Sequence, residues 1–195
     1  GEALIGADGQ LVVETGAFTG RSPKDKFFVR EPGSETHIDW EMNQPLDGAT
    51  FDGLLARVGE YVAGKELFAL DCYVGADSRY RLPVRIVTEY AWQSLFARDL
   101  FIDTADGDPS TSSGQAPEFS PEFTVVDAAL FDADPARDKT NSSTFIIVNF
   151  ARKIILIGGT RYAGEIKKSV FTVMNYLMPL RDVLSMHCSA NVGQD

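Results

Sequence analysis

Two short apolar runs, residues 145–148 and 154–157, constrain this chain more than any other feature of its sequence. Both are strand-sized and rich in β-branched residues, and a near-continuous apolar run of that length reads as a strand buried on both faces. The segments 144–150 and 153–157 flank a two-residue Ala151-Arg152 connection, which predicts a hairpin. Gly158-Gly159 closes the second strand. Apolar residues at helical spacing predict three helices around this hairpin. One carries Phe51, Leu54, Leu55, Val58 and Val62 and stops at Gly64. A second spans 90–101, with Trp92, Leu95, Phe96 and Leu100 on one face. The third carries Ile166, Val170, Val173, Met174 and Leu177 and ends before Pro179.

Further strands are expected at 10–13, 26–30, 67–74 and 122–126. Residues 82–87 read as a strand near a sheet edge because of Pro83. Residues 183–192 read as a final extended segment, residues 31–48 as a loop, and 128–140 as a loop turning at Asp134-Pro135. Residues 103–121, rich in Asp, Gly, Ser, Thr and Pro, read as a mobile excursion or linker. Strands alternating with helices, with a hairpin among them, give an α/β domain: a mixed β-sheet with flanking helices.

Composition narrows function. The 195 residues carry 18 Lys and Arg against 28 Asp and Glu, a net charge of −10. Such a chain is a poor non-specific nucleic-acid binder, and no apolar run is long enough to span a bilayer. The acidity is uneven. Residues 99–138 hold ten acids and one base, whereas 139–195 hold seven bases and three acids. Cys72 and Cys188 are too few for a disulfide framework and sit in apolar runs, so both are expected as buried thiols in a reducing cytoplasm. His37 and His187 are the two histidines, which excludes a three-histidine metal site built from this chain alone.

Two glycine-rich stretches invite a phosphate-loop reading, and neither qualifies. Residues 16–22 have the wrong glycine spacing and Arg21 in place of lysine. Residues 159–164 have the right spacing, but Glu165-Ile166 stands where Lys-Ser/Thr is required.

Three other stretches can carry chemistry. Thr19-Gly20-Arg21-Ser22-Pro23-Lys24-Asp25-Lys26 is a tight basic turn between strands. Its arginine either presents a planar fork to a carboxylate or phosphate or simply faces solvent. Gly158-Gly159-Thr160-Arg161-Tyr162-Ala163-Gly164-Glu165-Ile166-Lys167-Lys168 runs from a buried strand into a helix whose first turn is expected to carry two lysines. Cations oppose the dipole there, so either an anionic ligand compensates or the lysines are surface residues. Ser185-Met186-His187-Cys188-Ser189-Ala190-Asn191-Val192-Gly193 sets His187 among small polar residues, as a ligand or as a structural histidine.

Together these stretches resemble the ATP-dependent phosphoenolpyruvate carboxykinases, in family order over nearly the whole chain. Further matches are Arg81-Leu82 with Val84-Arg85, Thr88-Glu89 with Ala91-Trp92-Gln93, and Asn175-Tyr176-Leu177 with Pro179. The resemblance implies that residues 1–195 are the N-terminal substrate and metal side of the enzyme, ending just before a P-loop nucleotide-binding domain that the chain lacks. The implied reaction converts oxaloacetate and ATP to phosphoenolpyruvate, CO2 and ADP, in gluconeogenesis. By position, Arg21 clamps the substrate carboxylate and helps hold CO2, and Tyr162 lines the same pocket. Lys167 places charge near the transferring phosphate. Lys168 and His187 are the implied Mn²⁺ ligands, Lys168 also touching substrate, while Mg²⁺ travels with ATP. An amine ligates a metal only when neutral. Arg161 falls where family members vary and receives no role. The implied partners are oxaloacetate, phosphoenolpyruvate, CO2 and, through the other domain, ATP, with neither nucleic acid nor membrane. The chain alone is expected to be inactive. The alternative is a non-catalytic binding or scaffold module of related fold.

Overall fold

The computed structural model describes residues 2–104, 119–189 and 191–193. Most of the excursion expected at 103–121, residues 105–118, lies outside the described residues. Near the N-terminus, β1 (Leu4–Ile5) and β2 (Leu11–Val12) form a small antiparallel pair. There follow β3 (Lys26–Arg30), β4 (Gln44–Asp47), α1 (Gly48–Val62), β5 (Phe68–Val74), β6 (Leu82–Thr88) and α2 (Ala91–Leu100). After these come β7 (Ile102–Asp103), β8 (Phe123–Ala128), α3 (Pro135–Asp138), β9 (Phe145–Asn149), β10 (Ile154–Gly158) and α4 (Gly164–Leu177). Among the described residues, eight strands make one mixed sheet in the order β4-β3-β9-β10-β8-β6-β5-β7.

The two apolar runs are the centre of that sheet. Antiparallel β9 and β10 pair from Ile154↔Asn149 to Gly158↔Phe145. β3 runs parallel to β9 on one side, and β8 parallel to β10 on the other. Phe145, Ile146, Ile147, Val148, Ile155, Leu156 and Ile157 expose no surface. Because successive strand residues point to opposite faces, the runs feed two cores. Ile146, Val148, Ile155 and Ile157 pack with Ile166, Val170 and Val173 of α4. Phe145, Ile147 and Leu156 pack with Phe51, Leu54 and Val58 of α1. Each such side chain contributes about 1.5–3 kcal/mol of burial.

Local chemistry sets the element ends. Asp47 caps α1, its carboxylate accepting from Thr50 N at 2.9 Å and from Thr50 Oγ1 at 2.8 Å. Gly64, at φ +78°, ends the helix as expected. Asp134 caps α3 through Ala136 N at 3.0 Å, so the expected turn at Asp134-Pro135 is a short helix with proline at its start.

Six expectations are corrected. Residues 44–47 are a strand, not loop: Gln44, Pro45, Leu46 and Asp47 pair parallel with β3 at the sheet edge, where Pro45 needs no second partner. β6 is interior, between β5 and β8, because Pro83 sits at its start, one residue ahead of the β8 ladder that begins at Val84↔Phe123. The buried face of α2 carries Gln93 and Ala97, while Leu95 and Leu100 are exposed. The β9–β10 connection spans 150–153, with Lys153 left-handed at φ +57° and Arg152 N donating to Asn149 Oδ1 at 2.9 Å. Beyond the short 3₁₀ turn Pro179–Arg181, the described residues form no strand, and Cys188 is exposed; only Cys72 is a buried thiol.

Candidate functional site

The ladder registers bring distant loops to one edge of the sheet. Lys26 opens β3 opposite Ile146, and Gly158 closes β10 opposite both Phe145 and Ala128. The loop entering β3, which carries Arg21, and the loop leaving β10, which carries Tyr162, therefore emerge side by side. Strands β8 and β6 end at the same edge, with Asp127 beside Thr88.

The first loop is held on several sides. Ser22 N donates to Glu165 Oε1 at 2.7 Å. Asp25 is buried and accepts from Ser142 Oγ at 2.9 Å. The Lys24 carbonyl accepts from Gln44 Nε2 at 2.7 Å and from Asn141 Nδ2 at 2.5 Å. Lys26 Nζ donates to Thr172 Oγ1, which in turn donates to the Lys168 carbonyl at 2.9 Å. The Arg21 side chain is left exposed, with no hydrogen bond or ion pair to a described residue. The hydrogen bonds at residues 22–26 order the turn that carries this guanidinium, which lowers the cost of any contact made through it.

The second loop enters α4. Tyr162 N donates to Thr160 Oγ1 at 3.1 Å. The Tyr162 ring lies over Gly164, where an added Cβ would stand 2.4 Å from Cε1, so the ring position depends on that glycine. Glu165, buried, occupies the first turn of α4. The expected conflict with the helix dipole is thereby softened: an acid sits at the dipole's positive end, and Lys167 and Lys168 follow in the next turn. Lys167 is exposed and Lys168 half-buried.

Lys168 and His187 both lie against one ring, Phe171. Lys168 Nζ stands 5.5 Å from the Phe171 centroid, and the His187 ring meets Phe171 edge-to-face at 5.2 Å. Phe171 was not marked by the sequence; its only signal is an aromatic three residues after Lys168. Arg161, with Thr160, Asp132 and Phe18, lines a cleft of about 260 Å³.

Lys26 is the second residue the sequence left unassigned. Burial pushes its ammonium down to about 8, against the pull of Glu165, and Arg21 and Lys168 push the same way as burial. Because the Glu165 carboxylate favours the charged amine, Glu165→Gln should move Lys26 further below 8 while leaving an acceptor for Ser22 N. Titration of the Lys26 Nζ resonances by NMR reads this directly; an unchanged or higher midpoint would overturn the assignment.

Among the described residues no group of three His, Cys, Asp or Glu side chains is placed to hold a metal ion. Lys168 and His187 carry nitrogen donors and share Phe171 as a neighbour; by donor type they suit a divalent ion only together with further ligands.

A sequence profile of the phosphoenolpyruvate carboxykinase family matches residues 1–195. The chain is 52% identical over 196 residues to the phosphoenolpyruvate carboxykinase (ATP) of Bacillus pumilus, covering 100% of this chain and 36% of the relative. It is 51% identical over 196 residues to that of Geobacter metallireducens, with the same coverage. It is 50% identical over 193 residues to that of Alkaliphilus oremlandii, covering 98% of this chain and 35% of the relative. The chain thus spans about a third of the length of the curated relatives it matches.

Proposed function

The chain belongs to the phosphoenolpyruvate carboxykinase family, and from that premise we propose that it forms the substrate and metal side of an ATP-dependent carboxykinase. The reaction is oxaloacetate plus ATP to phosphoenolpyruvate, CO2 and ADP: the C–C bond to the departing carboxyl breaks, and the resulting enolate oxygen takes the γ-phosphoryl group. Negative charge develops on the enolate and shifts with the phosphoryl group, so fixed positive charge is the main catalytic requirement.

One observation carries this reading: the clamped turn leaves Arg21 unpaired beside Lys26, at the edge where the Tyr162 loop and Lys168 emerge. Arg21 offers two parallel N–H groups to a substrate carboxylate. Tyr162 lies along the bound substrate and limits its orientation. Lys167, in solvent, adds charge where the phosphoryl group passes. Lys168 and His187 would hold a divalent cation, Mn²⁺ in this reading, with other ligands supplied from outside the described residues. When bound, that ion supplies Lewis-acid stabilisation of the enolate oxygen. ATP and its Mg²⁺ require a phosphate loop, which the 195-residue sequence does not contain. Cytoplasmic location is part of the same proposal, supported by two free thiols; no helix is long and apolar enough to cross a membrane among the described residues.

The test is titration of the 195-residue chain with phosphoenolpyruvate, followed by amide NMR. Saturable binding centred on residues 20–26 and 160–168 is expected, weakening as salt is raised. ATP-dependent phosphoenolpyruvate formation by this chain alone, or binding centred elsewhere, would overturn the proposal.

A further inference from the structure

Beneath the Tyr162 loop lies a polar pair that the proposed reaction does not use. Asp127 of β8 and Gln93 of α2 are both buried, at 2% and 0% exposure. Gln93 Nε2 donates to Asp127 Oδ2 and to the Arg161 carbonyl, each at 3.3 Å. Asp127 Oδ1 and Gln93 Oε1 have no partner. Both atoms are acceptors in this arrangement, and two buried acceptors left empty on one pair are costly. Turning the amide over does not help, since Oε1 would then face two oxygens, Asp127 Oδ2 and the Arg161 carbonyl.

A single proton resolves both vacancies. On Oδ1 it makes the carboxyl a donor to Gln93 Oε1 while Nε2 continues to donate to Oδ2, closing a two-bond acid–amide pair. We infer that Asp127 is a protonated positioning residue, which orients Gln93 so that its amide holds the Arg161 carbonyl and thereby the loop bearing Tyr162. The surroundings agree. The charged groups acting on Asp127 are both acids, Glu89 from the end of β6 and Glu165 from α4, while β10 presents Ile157 and α2 presents Gln93. Burial first, then these two carboxylates, raise the Asp127 carboxyl well above the usual range. Ionised, Asp127 would set a carboxylate against Gln93 Oε1, release the amide and free the Arg161 carbonyl. The role in substrate positioning rests on the proposed function; the acid–amide pair does not.

The experiment uses the 195-residue chain with ¹³C-labelled aspartate carboxyls. Asp127 should hold its proton well above the usual carboxylate range and show a single transition there. Gln93 side-chain amide and Tyr162 backbone signals should shift with the same midpoint. Asp127→Asn replaces the acid by an amide that can donate to Oε1 and accept from Nε2. It should therefore keep the Gln93 and Tyr162 signals of the protonated parent and lose the pH transition. The urea midpoint makes a second readout. A carboxyl protonated in the fold but ionised in the unfolded chain drains stability as pH climbs from about 4, and the loss ends above its folded value. The midpoint of Asp127→Asn should therefore rise relative to the parent over that span. Gln93→Leu should speed Tyr162 amide exchange about tenfold at neutral pH. If that variant fails to fold, the carboxyl titration and the Asn variant still decide. An Asp127 titration near 4, or an Asn variant that loosens Tyr162, would overturn the inference. Phosphoenolpyruvate affinity falling with the Asp127 transition in the parent alone would tie the pair to substrate. Unchanged affinity with an intact carboxyl titration would confine the failure to the substrate role.

Discussion

Gly159→Ala is expected to destabilise the chain by about 3–5 kcal/mol, combining left-handed backbone strain with overpacking. Gly159 sits at φ +67°, and an added Cβ would stand 2.4 Å from the Ser143 carbonyl oxygen and 2.8 Å from Thr144 Cα. Neither neighbour can yield cheaply. The Ser143 oxygen accepts from Ala133 N at 2.9 Å, and Thr144 Oγ1 donates to the Gly159 carbonyl at 2.8 Å. Gly16→Ala separates the two costs, since Gly16 also has a positive φ, +71°, but nothing within 4 Å of the added atom. That control should lose about 1–2 kcal/mol, the backbone cost alone. Urea unfolding measures both, and a Gly159 variant no worse than the Gly16 variant would show that the close approach of β10 to residues 143 and 144 is wrong. The consequence reaches the site, because the left-handed turn at Gly159 launches the loop that carries Tyr162.

Arg21→Ala is expected to remove most of the chain's affinity for phosphoenolpyruvate while leaving its stability within about 0.5 kcal/mol of the parent. Charge-assisted hydrogen bonds contribute about 1.5–3 kcal/mol each, so loss of the fork weakens binding by roughly ten- to a hundredfold or more. The fold should tolerate the change because the Arg21 side chain is exposed, and the turn is held through Ser22, Lys24, Asp25 and Lys26 instead. Arg21→Lys should recover only part of the affinity, since an ammonium keeps the charge but not the planar geometry. Calorimetric titration at fixed salt is the measurement. Equal affinity in the alanine variant would sink the carboxylate-clamp role and leave the proposed pocket without its main anchor.

Much of the fold was legible because its signals are local. The apolar runs of β9 and β10, the helical spacing of Phe51, Leu54 and Val58, and Gly64 as a stop all depend on near neighbours in sequence. The misread elements depend on non-local partners. Residues 44–47 look like loop by composition, yet parallel pairing with β3 makes them a strand. Pro83 suggested an edge, but its position at the start of β6 lets that strand lie inside the sheet. The exposed Leu95 and the buried Gln93 reverse what hydrophobicity assigns to α2, because Gln93 has a buried partner on β8. The site divides in the same way. Arg21, Tyr162, Lys167, Lys168 and His187 stood out through motif resemblance. Lys26, Phe171 and Asp127 did not, since each gains its character from groups on other elements.

The acid-rich stretch 99–138 shows where the division falls. Composition marks it as the chain's store of negative charge without assigned chemistry. Asp127 within it is, in the fold, enclosed beside an amide and two further acids. Sequence alone determined the family, through motif resemblance over the whole chain, and the α/β class and paired central strands, because those two follow from residue type and short-range periodicity. Tertiary structure alone decided which loops share an edge, that the Arg21 side chain is exposed there, and which ionisable groups are stripped of water. Ladder register and burial act between residues more than a hundred positions apart, as in the 143-residue separation of Ser22 and Glu165.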